Sequence, residues 1–223
     1  MKGSRQRIPS LPRNLAAIDM RLAILGAGGH GSVIADSAEA SGWKITFFDD
    51  WRTGIFVAWE VAGTSSQLLE RVEDFDGVIV GIGANVVRLD WLAKLRDAGA
   101  PLVTIIDRTA VVSPRAEIGK ACYLAPSSVV NVSARIGDGC IINTGATVDH
   151  DCHVAEGAHL SPGVHLSGAV KIGRASWMGT GTVVRNNITV GDNVIAGVGS
   201  AIVKDIASNK TVVGVPARPL KAF

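Results

Sequence analysis

The chain has 223 residues, enough for two modest domains or one large one, and its formal net charge is only +2. That charge gives no case for a nucleic-acid or membrane surface, and no apolar run approaches the ~20 residues needed to cross a bilayer. Hydrophobic residues make up 47% and aromatic residues only 5%, with 26 glycines, which favours parallel β structure or a solenoid over a helix bundle.

Two features of the sequence argue against export. The first 19 residues are basic but lack the apolar stretch of ~7–15 residues that a secretory signal needs. Met20 directly precedes the first strand pattern, so residues 1–19 are predicted to be a disordered extension or to precede the natural start. The three cysteines are odd in number and match no zinc spacing, which favours a reducing compartment, the cytoplasm.

Strand and helix patterns alternate over residues 20–105, which predicts a small, Rossmann-like α/β domain with a parallel sheet. Strands are expected at 21–25, 44–48, 77–81 and 102–106, and helices at 32–40 and 86–98. A glycine-rich sequence at 26–31 follows the first strand, and Asp49 follows about 20 residues later, as in an NAD site. Glycine N–H groups at a helix start bind phosphate in general, although Gly26 and Gly28 also suit a simple tight turn.

The second half has a different period. From Ile106 to Ile202 every sixth residue is aliphatic, without an insertion. A strand would need period two and a helix period 3.6, so the hexads predict a parallel β-helix of triangular section over 106–207, followed by a tail at 208–223. Each cysteine lies four residues after a hexad aliphatic, where a small core residue is expected rather than a reactive thiol.

The hexad register also predicts where the histidines lie. His150 follows a core aliphatic by two residues and therefore occupies a corner, with Gly168, Asn186 and Lys204 on the same edge in steps of 18. His159 precedes a core aliphatic and faces outward from the opposite flat side. The core separates the two histidines within one chain, so they can share a site only across a subunit contact. This register predicts a trimer with active sites between subunits.

The strict hexads resemble those of the hexapeptide-repeat acyltransferase family. Shorter motifs resemble its sugar-nucleotide N-acetyltransferases of the bacillosamine and perosamine type, with sialic acid O-acetyltransferases as relatives. The motifs are Gly-Ala-Gly-Gly-His-Gly at 26–31, Phe-Phe-Asp-Asp at 47–50, Gly-Ala-Asn at 83–85, Asn-Thr-Gly at 143–145, His-Asp-Cys at 150–152, Ala-His-Leu-Ser at 158–161 and Gly-Val-Pro-Ala-Arg at 214–218. The resemblance implies left-handed coils, acetyl-CoA as co-substrate, no metal and a homotrimer.

Candidate site residues follow from the chemistry together with the resemblance. His150 would accept a proton from the 4-amino group of a UDP- or GDP-linked deoxyamino sugar, Asp151 would orient its ring, and the Gly168 N–H would stabilise the oxyanion. The residues expected to contact acetyl-CoA are His159, Ser161, Gly168, Gly179, Gly197 and Lys204. Those expected to bind the nucleotide sugar are Gly28, Gly29, His30, Gly31, Asp49, Asp50, Gly83, Asn85 and Asn143.

Other functions fit the same pattern. O-acetylation of sialic acid or another sugar hydroxyl would use the same base at His150. A metal-dependent β-helix enzyme, such as a carbonic anhydrase relative, would need three imidazoles converging on zinc. A non-catalytic scaffold is disfavoured by the adjacent His150 and Asp151.

Overall fold

The structure is a computed structural model that describes residues 20–220. It shows an α/β domain followed by a left-handed parallel β-helix, as the sequence predicts. The predicted extension at 1–19 lies outside the described residues. Within the described part of the chain, no helix is long and apolar enough to cross a membrane.

The α/β domain is built on a five-stranded sheet in the order β3-β4-β2-β1-β5. All neighbours are parallel except β3 and β4, which form an antiparallel hairpin. The strands are β1 Arg21–Leu25, β2 Lys44–Phe48, β3 Gly54–Phe56, β4 Trp59–Gly63 and β5 Gly77–Val80. The helices are α1 Gly29–Glu39, α2 Ser65–Glu70 and α3 Asn85–Asp97, with a 3-10 turn at Val72–Asp74.

Two parts of this domain differ from the sequence prediction. The hairpin β3–β4 and helix α2 lie in a stretch without a clear hydrophobic period, and α2 is instead defined by a capping box between Thr64 and Gln67. The predicted strand at 102–106 is wrong as one element. Leu102 makes only a single bridge to Val78, and Ile105–Ile106 pairs with the β-helix instead.

The β-helix has three flat faces, each a stack of short parallel strands that repeat every 18 residues. The first face contains β6 Ile105–Ile106, β9 Tyr123–Leu124, β12 Ile141–Ile142, β15 His159–Leu160, β18 Trp177–Met178, β21 Ile195–Ala196, β23 Thr211–Val213 and β24 Arg218–Pro219. The second contains β7 Val111–Val112, β10 Val129–Val130, β13 Thr147–Val148, β16 His165–Leu166, β19 Val183–Val184 and β22 Ala201–Ile202. The third contains β8 Glu117–Ile118, β11 Arg135–Ile136, β14 His153–Val154, β17 Lys171–Ile172 and β20 Thr189–Val190.

The hexad aliphatics form the core of the prism, which confirms the register. From Leu124 onward they are buried, and the first three, at the open N-terminal end, are partly buried. The cysteines Cys122, Cys140 and Cys152 are free thiols buried in this core, which confirms their predicted packing role. The tail predicted from residue 208 adds β23 and β24 to the end of the first face.

The α/β domain packs on the first face of the β-helix. Outward-facing Tyr123 and Ile141 are buried in one cluster with Ile24 and Phe47 of the sheet. The Tyr123 hydroxyl lies 2.8 Å from Ser37 Oγ, which donates to Asp107 at 2.7 Å. The lower rungs of this face are therefore covered by the N-terminal domain.

A buried arginine joins the two domains at helix α3. Arg88 is 1% exposed, and burial lowers the pKa of its guanidinium to about 10. Its nitrogens donate to Asn85 Oδ1 and to four carbonyls, those of Ile82, Gly83, Gly139 and Gly157. Gly139 and Gly157 are successive corner residues of the β-helix with φ of 66°, and leucines of α3 pack directly over them.

Candidate functional site

The glycine-rich loop at the end of β1 exposes the start of helix α1. Gly28 is the N-cap residue and has no side chain with which to cap the helix. A Cβ added at Gly28 or Gly29 would meet nothing within 4 Å, so the space above the first turn is open to a ligand. Gly31 differs, because a Cβ there would collide with the Gly26 carbonyl. The loop thus presents unpaired backbone N–H groups and a helix dipole, the arrangement that binds phosphate.

Asp49 and Asp50 organise the backbone beside this loop. Asp49 accepts hydrogen bonds from Ala27 N at 2.8 Å, Trp51 N at 2.9 Å and Arg52 N at 3.0 Å. Asp50 accepts from the backbone N and the hydroxyl of Ser65 at the start of α2. Both carboxylates are therefore occupied by protein donors, and their contact with a nucleoside or sugar stays a prediction.

His30 lies in the first turn of α1 and points toward the β-helix. Its ring packs edge-on against Tyr123, with centroids 5.7 Å apart, and lies 6.2 Å from the ring of His159. Burial, and then the charge of Arg88, lower its pKa to about 4, so the ring is neutral at physiological pH. Its Nε2 is buried and has no hydrogen-bond partner among the described residues.

His159 and Asn143 sit beside it on the first face. Asn143 Oδ1 accepts from Thr144 N at 2.8 Å, which leaves Nδ2 to face His159 Nε2 at 3.1 Å. His159 Nε2 is thus the acceptor, and the ring also hydrogen-bonds the backbone of Gly83. Burial, then Arg88 and His30, lower its pKa to about 3. His159 is therefore a neutral, fixed ring, unsuited to act as the base at pH 7.

An apolar groove of about 560 Å³ opens next to His159, between helix α3 and the upper rungs of the first face. It is lined by Gly83, Ala84, Asn85, Val86, Val87, His159, Ala175, Trp177, Asn193 and Ile195. Trp177 is 40% exposed in this groove, and its indole N–H donates to Ser161 Oγ at 2.7 Å. Asn85 Nδ2 donates to the carbonyls of Ala175 and Ser176, which ties α3 to the groove floor.

His150 occupies the corner between the second and third faces, since it lies between β13 and β14. Its Nδ1 is 2.8 Å from Asp151 Oδ2. This hydrogen bond, together with the charges of Asp149 and Asp151, raises the pKa of the exposed imidazole above its usual value. Nδ1 therefore carries the proton shared with Asp151, and Nε2 is free to accept one.

Gly168 lies directly beneath this imidazole. A Cβ at residue 168 would be 2.5 Å from His150 Nε2, so glycine is required for the ring to rest there. Among residues 20–220, no acceptor pairs with the Gly168 N–H, whereas the next N–H, that of Ala169, donates to the His150 carbonyl. The free N–H fits the predicted oxyanion role, which stays a prediction.

The remaining predicted acetyl-CoA contacts lie toward the C-terminal end of the prism. A Cβ at Gly179 would be 2.7 Å from the Ala196 carbonyl, and one at Gly197 would be 2.7 Å from Val213, so rung stacking itself explains these glycines. Lys204 is exposed on the His150 edge. Their contact with a cofactor stays a prediction.

The structure brings the predicted site residues together as two groups. His30, Asn143, His159, Gly83 and Asn85 meet where the α/β domain covers the first face. His150, Asp151 and Gly168 lie on the edge opposite that face, across the core of the prism.

Two residues of the site are absent from the sequence prediction. Trp177 stands 18 residues after His159 and pairs with it in the strand ladder, so the repeat itself would have found it. Arg88 has no such signal, because its importance depends on two domains meeting. Within residues 20–220 no group of three or more His, Cys, Asp or Glu side chains is arranged to hold a metal ion.

Comparisons with known proteins agree with this architecture. Residues 21–95 match the family described as the PglD N-terminal domain. The acetyltransferase domain of PglB from Neisseria gonorrhoeae FA1090, solved with acetyl coenzyme A, is 41% identical, over 91% of this chain and 100% of that chain, with a TM-score of 0.88.

Two further solved structures are similar. PerB from Caulobacter crescentus, solved with CoA and GDP-perosamine, is 34% identical, over 92% of this chain and 99% of that chain, with a TM-score of 0.87. WeeI from Acinetobacter baumannii AYE is 23% identical over 90% of this chain and 100% of that chain, and its TM-score of 0.72 shows a shared fold. The identity and coverage shared with the PglB domain and PerB show that the chain belongs to the hexapeptide-repeat sugar acetyltransferases.

Proposed function

We propose that this protein transfers the acetyl group of acetyl-CoA to the 4-amino group of a UDP- or GDP-linked deoxyamino sugar, with His150 as general base. The observation that carries the proposal is the contrast among the three histidines of the two site groups. His30 and His159 are held neutral by burial, with pKa values lowered to about 4 and about 3. His150 alone among them has its pKa raised, and its side chain is 55% exposed.

The chemistry of the transfer follows from the His150 corner. As the sugar amine attacks the thioester carbon, His150 Nε2 takes a proton from the amine nitrogen, and Asp151 stabilises the imidazolium that forms. The carbonyl oxygen becomes an oxyanion that the Gly168 N–H stabilises. Collapse of the tetrahedral intermediate breaks the carbon–sulfur bond and expels CoA thiolate, which takes the proton back from His150.

The nucleotide sugar fits the cleft between the two domains. Its diphosphate would lie on the open first turn of α1 at Gly28 and Gly29. The sugar would extend toward His30, whose free Nε2 is buried there, and toward Asn143 and His159. PerB, solved with GDP-perosamine, shows that a family relative takes an acceptor of this class.

The apolar groove beside His159 fits the pantetheine arm of acetyl-CoA. Trp177, Ile195, Val86 and Val87 supply an apolar wall, and His159 stands at the end nearest the proposed sugar site. An acetyl thioester in this groove would thus approach the sugar amine. The PglB acetyltransferase domain was solved with acetyl coenzyme A, which supports this donor.

The two site groups form one active site only between subunits, so we propose a homotrimer. The His150 edge of one subunit would lie against the first face of its neighbour, beside the neighbour's His159. Three free, buried cysteines and a metabolite donor fit the cytoplasm as the place of action.

The proposal is tested with a panel of acceptors and acetyl-CoA, by following CoA release. We expect turnover of a UDP- or GDP-linked 4-amino sugar and a loss of ~10²-fold or more in kcat for His150→Ala, without a comparable change in acetyl-CoA affinity. His165→Ala, at an exposed histidine whose Nδ1 lies 2.9 Å from the Thr147 hydroxyl, is the matched control. Turnover of free sialic acid but of no amino-sugar nucleotide would overturn the acceptor, and an active His150→Ala variant would overturn the base.

A further inference from the structure

Trp51 is an exposed aromatic residue that the catalytic proposal does not use. Its side chain is 91% exposed, although a tryptophan in a folded domain is usually largely buried. It directly follows Asp49 and Asp50 at the carboxyl end of β2, next to the glycine-rich loop that ends β1. Ligands of open parallel sheets bind outside these carboxyl ends.

The backbone that carries Trp51 is tied to the glycine-rich loop. One carboxylate, that of Asp49, accepts from Ala27 N in the loop and from the N–H groups of Trp51 and Arg52. On the other side, the Arg52 guanidinium lies 4.7 Å from the centroid of the Phe56 ring in strand β3. The turn is thus held from both sides while the indole stays in solvent.

In the proposed function, the sugar of the bound nucleotide lies toward His30. Its ring leaves the first turn of α1 toward Tyr123 and His159, so the sugar end of the ligand belongs at the domain interface. A diphosphate on Gly28 and Gly29 then directs the nucleoside to the other flank of the loop. That flank is the Asp49–Trp51 turn.

We propose that Trp51 is the stacking platform for the nucleobase of the substrate. This inference rests on the proposed function, since it needs a nucleotide-linked acceptor. The Asp49 carboxylate accepts three backbone hydrogen bonds, which fix this turn beside the loop, and the exposed indole face of Trp51 offers a nucleoside at this edge a stacking partner. Stacking on tryptophan accepts any base, so Trp51 supplies affinity for the nucleotide.

The test measures binding of GDP and UDP to the full-length protein by calorimetry. The nucleotide compared is whichever of GDP and UDP the wild type binds. We expect Trp51→Ala to raise its Kd about tenfold or more, and Trp51→Phe to raise it less. Inorganic pyrophosphate, which has no base, should compete with the nucleotide equally well in the wild type and in Trp51→Ala. The KM for acetyl-CoA should be the same in the two proteins. Ile55→Ala, an exposed apolar residue of the neighbouring strand, is the control that should bind like the wild type.

A fluorescence measurement supplies a readout that a structural role would not give. Nucleotide should quench indole emission in the wild type and in Ile55→Ala but not in Trp51→Phe. The inference would be overturned if Trp51→Ala bound nucleotide as tightly as the wild type does. It would also be overturned if the variant lost affinity for pyrophosphate to the same extent as for nucleotide, or if its oligomeric mass changed. A wild type that binds neither GDP nor UDP would overturn the proposed function itself, and the inference with it.

Discussion

A neighbouring carboxylate, that of Asp151, raises the pKa of the exposed His150 imidazole, which is the proposed general base. The imidazole is exposed, so its raised pKa comes first from the hydrogen bond to Asp151 and then from the charges of Asp149 and Asp151. Because the neutral form is the base, activity should rise with pH through a midpoint above the usual value of ~6.5.

Replacing this carboxylate should move the pH profile in a known direction. Asp151→Asn replaces the carboxylate by a neutral amide, which removes the charge and weakens the hydrogen bond that favours the imidazolium, so the rising limb of kcat/KM should shift to lower pH. Asparagine also tolerates the left-handed φ of 60° at this corner, so the backbone is preserved. Glu117→Gln removes an exposed charge that pairs with Arg135 and serves as control. If the rising limb of kcat/KM stayed at the same pH in Asp151→Asn, Asp151 would not be what raises the pKa of His150.

At the scale of single residues, the hexad register predicts the direction in which a side chain points, but not its burial or its pKa. The corner position of His150 and the outward direction of His159 both follow from distance to a core aliphatic. The burial of His159 and its lowered pKa do not follow from the repeat, because they depend on Arg88 and His30 from the other domain. The same 18-residue step, taken from His159, predicts that Trp177 lies beside it on the first face.

Helix α3 is the element that fixes the domain interface. Its leucines Leu89 and Leu92 pack over Gly157 and Gly139, whose missing side chains permit this close approach. Arg88 of the same helix donates hydrogen bonds to the carbonyls of Gly139 and Gly157. The groove beside His159 has α3 as one wall, so its shape depends on this contact.

The helix contact can be measured through Arg88. Arg88→Met would remove the arginine donor from Asn85 Oδ1 and from four carbonyls, of which those of Gly139 and Gly157 are buried, so we expect the free energy of unfolding to fall by about 3 kcal/mol or more. Arg96→Met on the same helix removes an exposed pair with Asp138 and should cost less than about 1 kcal/mol. Urea unfolding followed by circular dichroism gives both values, and equal losses would contradict the role of Arg88.

Elements with a strong period were predictable, and those without one were not. The hexads define every strand from β7 to β22, and the helices α1 and α3 begin at Gly29 and Asn85, close to their predicted positions. The β3–β4 hairpin and α2 are missing from the prediction because their hydrophobic residues follow neither period. The strand predicted at 102–106 divides because Ile105 turns to pair with Tyr123 of the β-helix.

At the scale of the whole molecule, the two site groups of one chain face away from each other. The first face carries His159, and the opposite edge carries His150. Under the proposed function a complete site therefore needs two subunits, and a closed ring of three head-to-tail contacts would give three identical sites.

Mixing two inactive variants tests this arrangement. His150→Ala and His159→Ala chains should each be nearly inactive alone, but co-expressed chains should recover about one quarter of the sites, because random assembly joins an intact His150 to an intact His159 at that frequency. Light scattering of the mixture gives the subunit number. Mixtures as inactive as their parents, or a monomeric mass, would contradict the shared site.

The 18-residue closure of each coil has a consequence for how this family can change in length. Each face repeats only after a whole turn of chain, as the pairing of His159 with Trp177 shows. Adding or removing one complete turn near the C-terminal end would lengthen or shorten the surface proposed to bind acetyl-CoA and leave every earlier side chain in register. A single residue inserted between 150 and 159 would instead shift the register of every later strand by one. Core side chains would then face outward, and the neutral imidazole of His159 would leave the cleft.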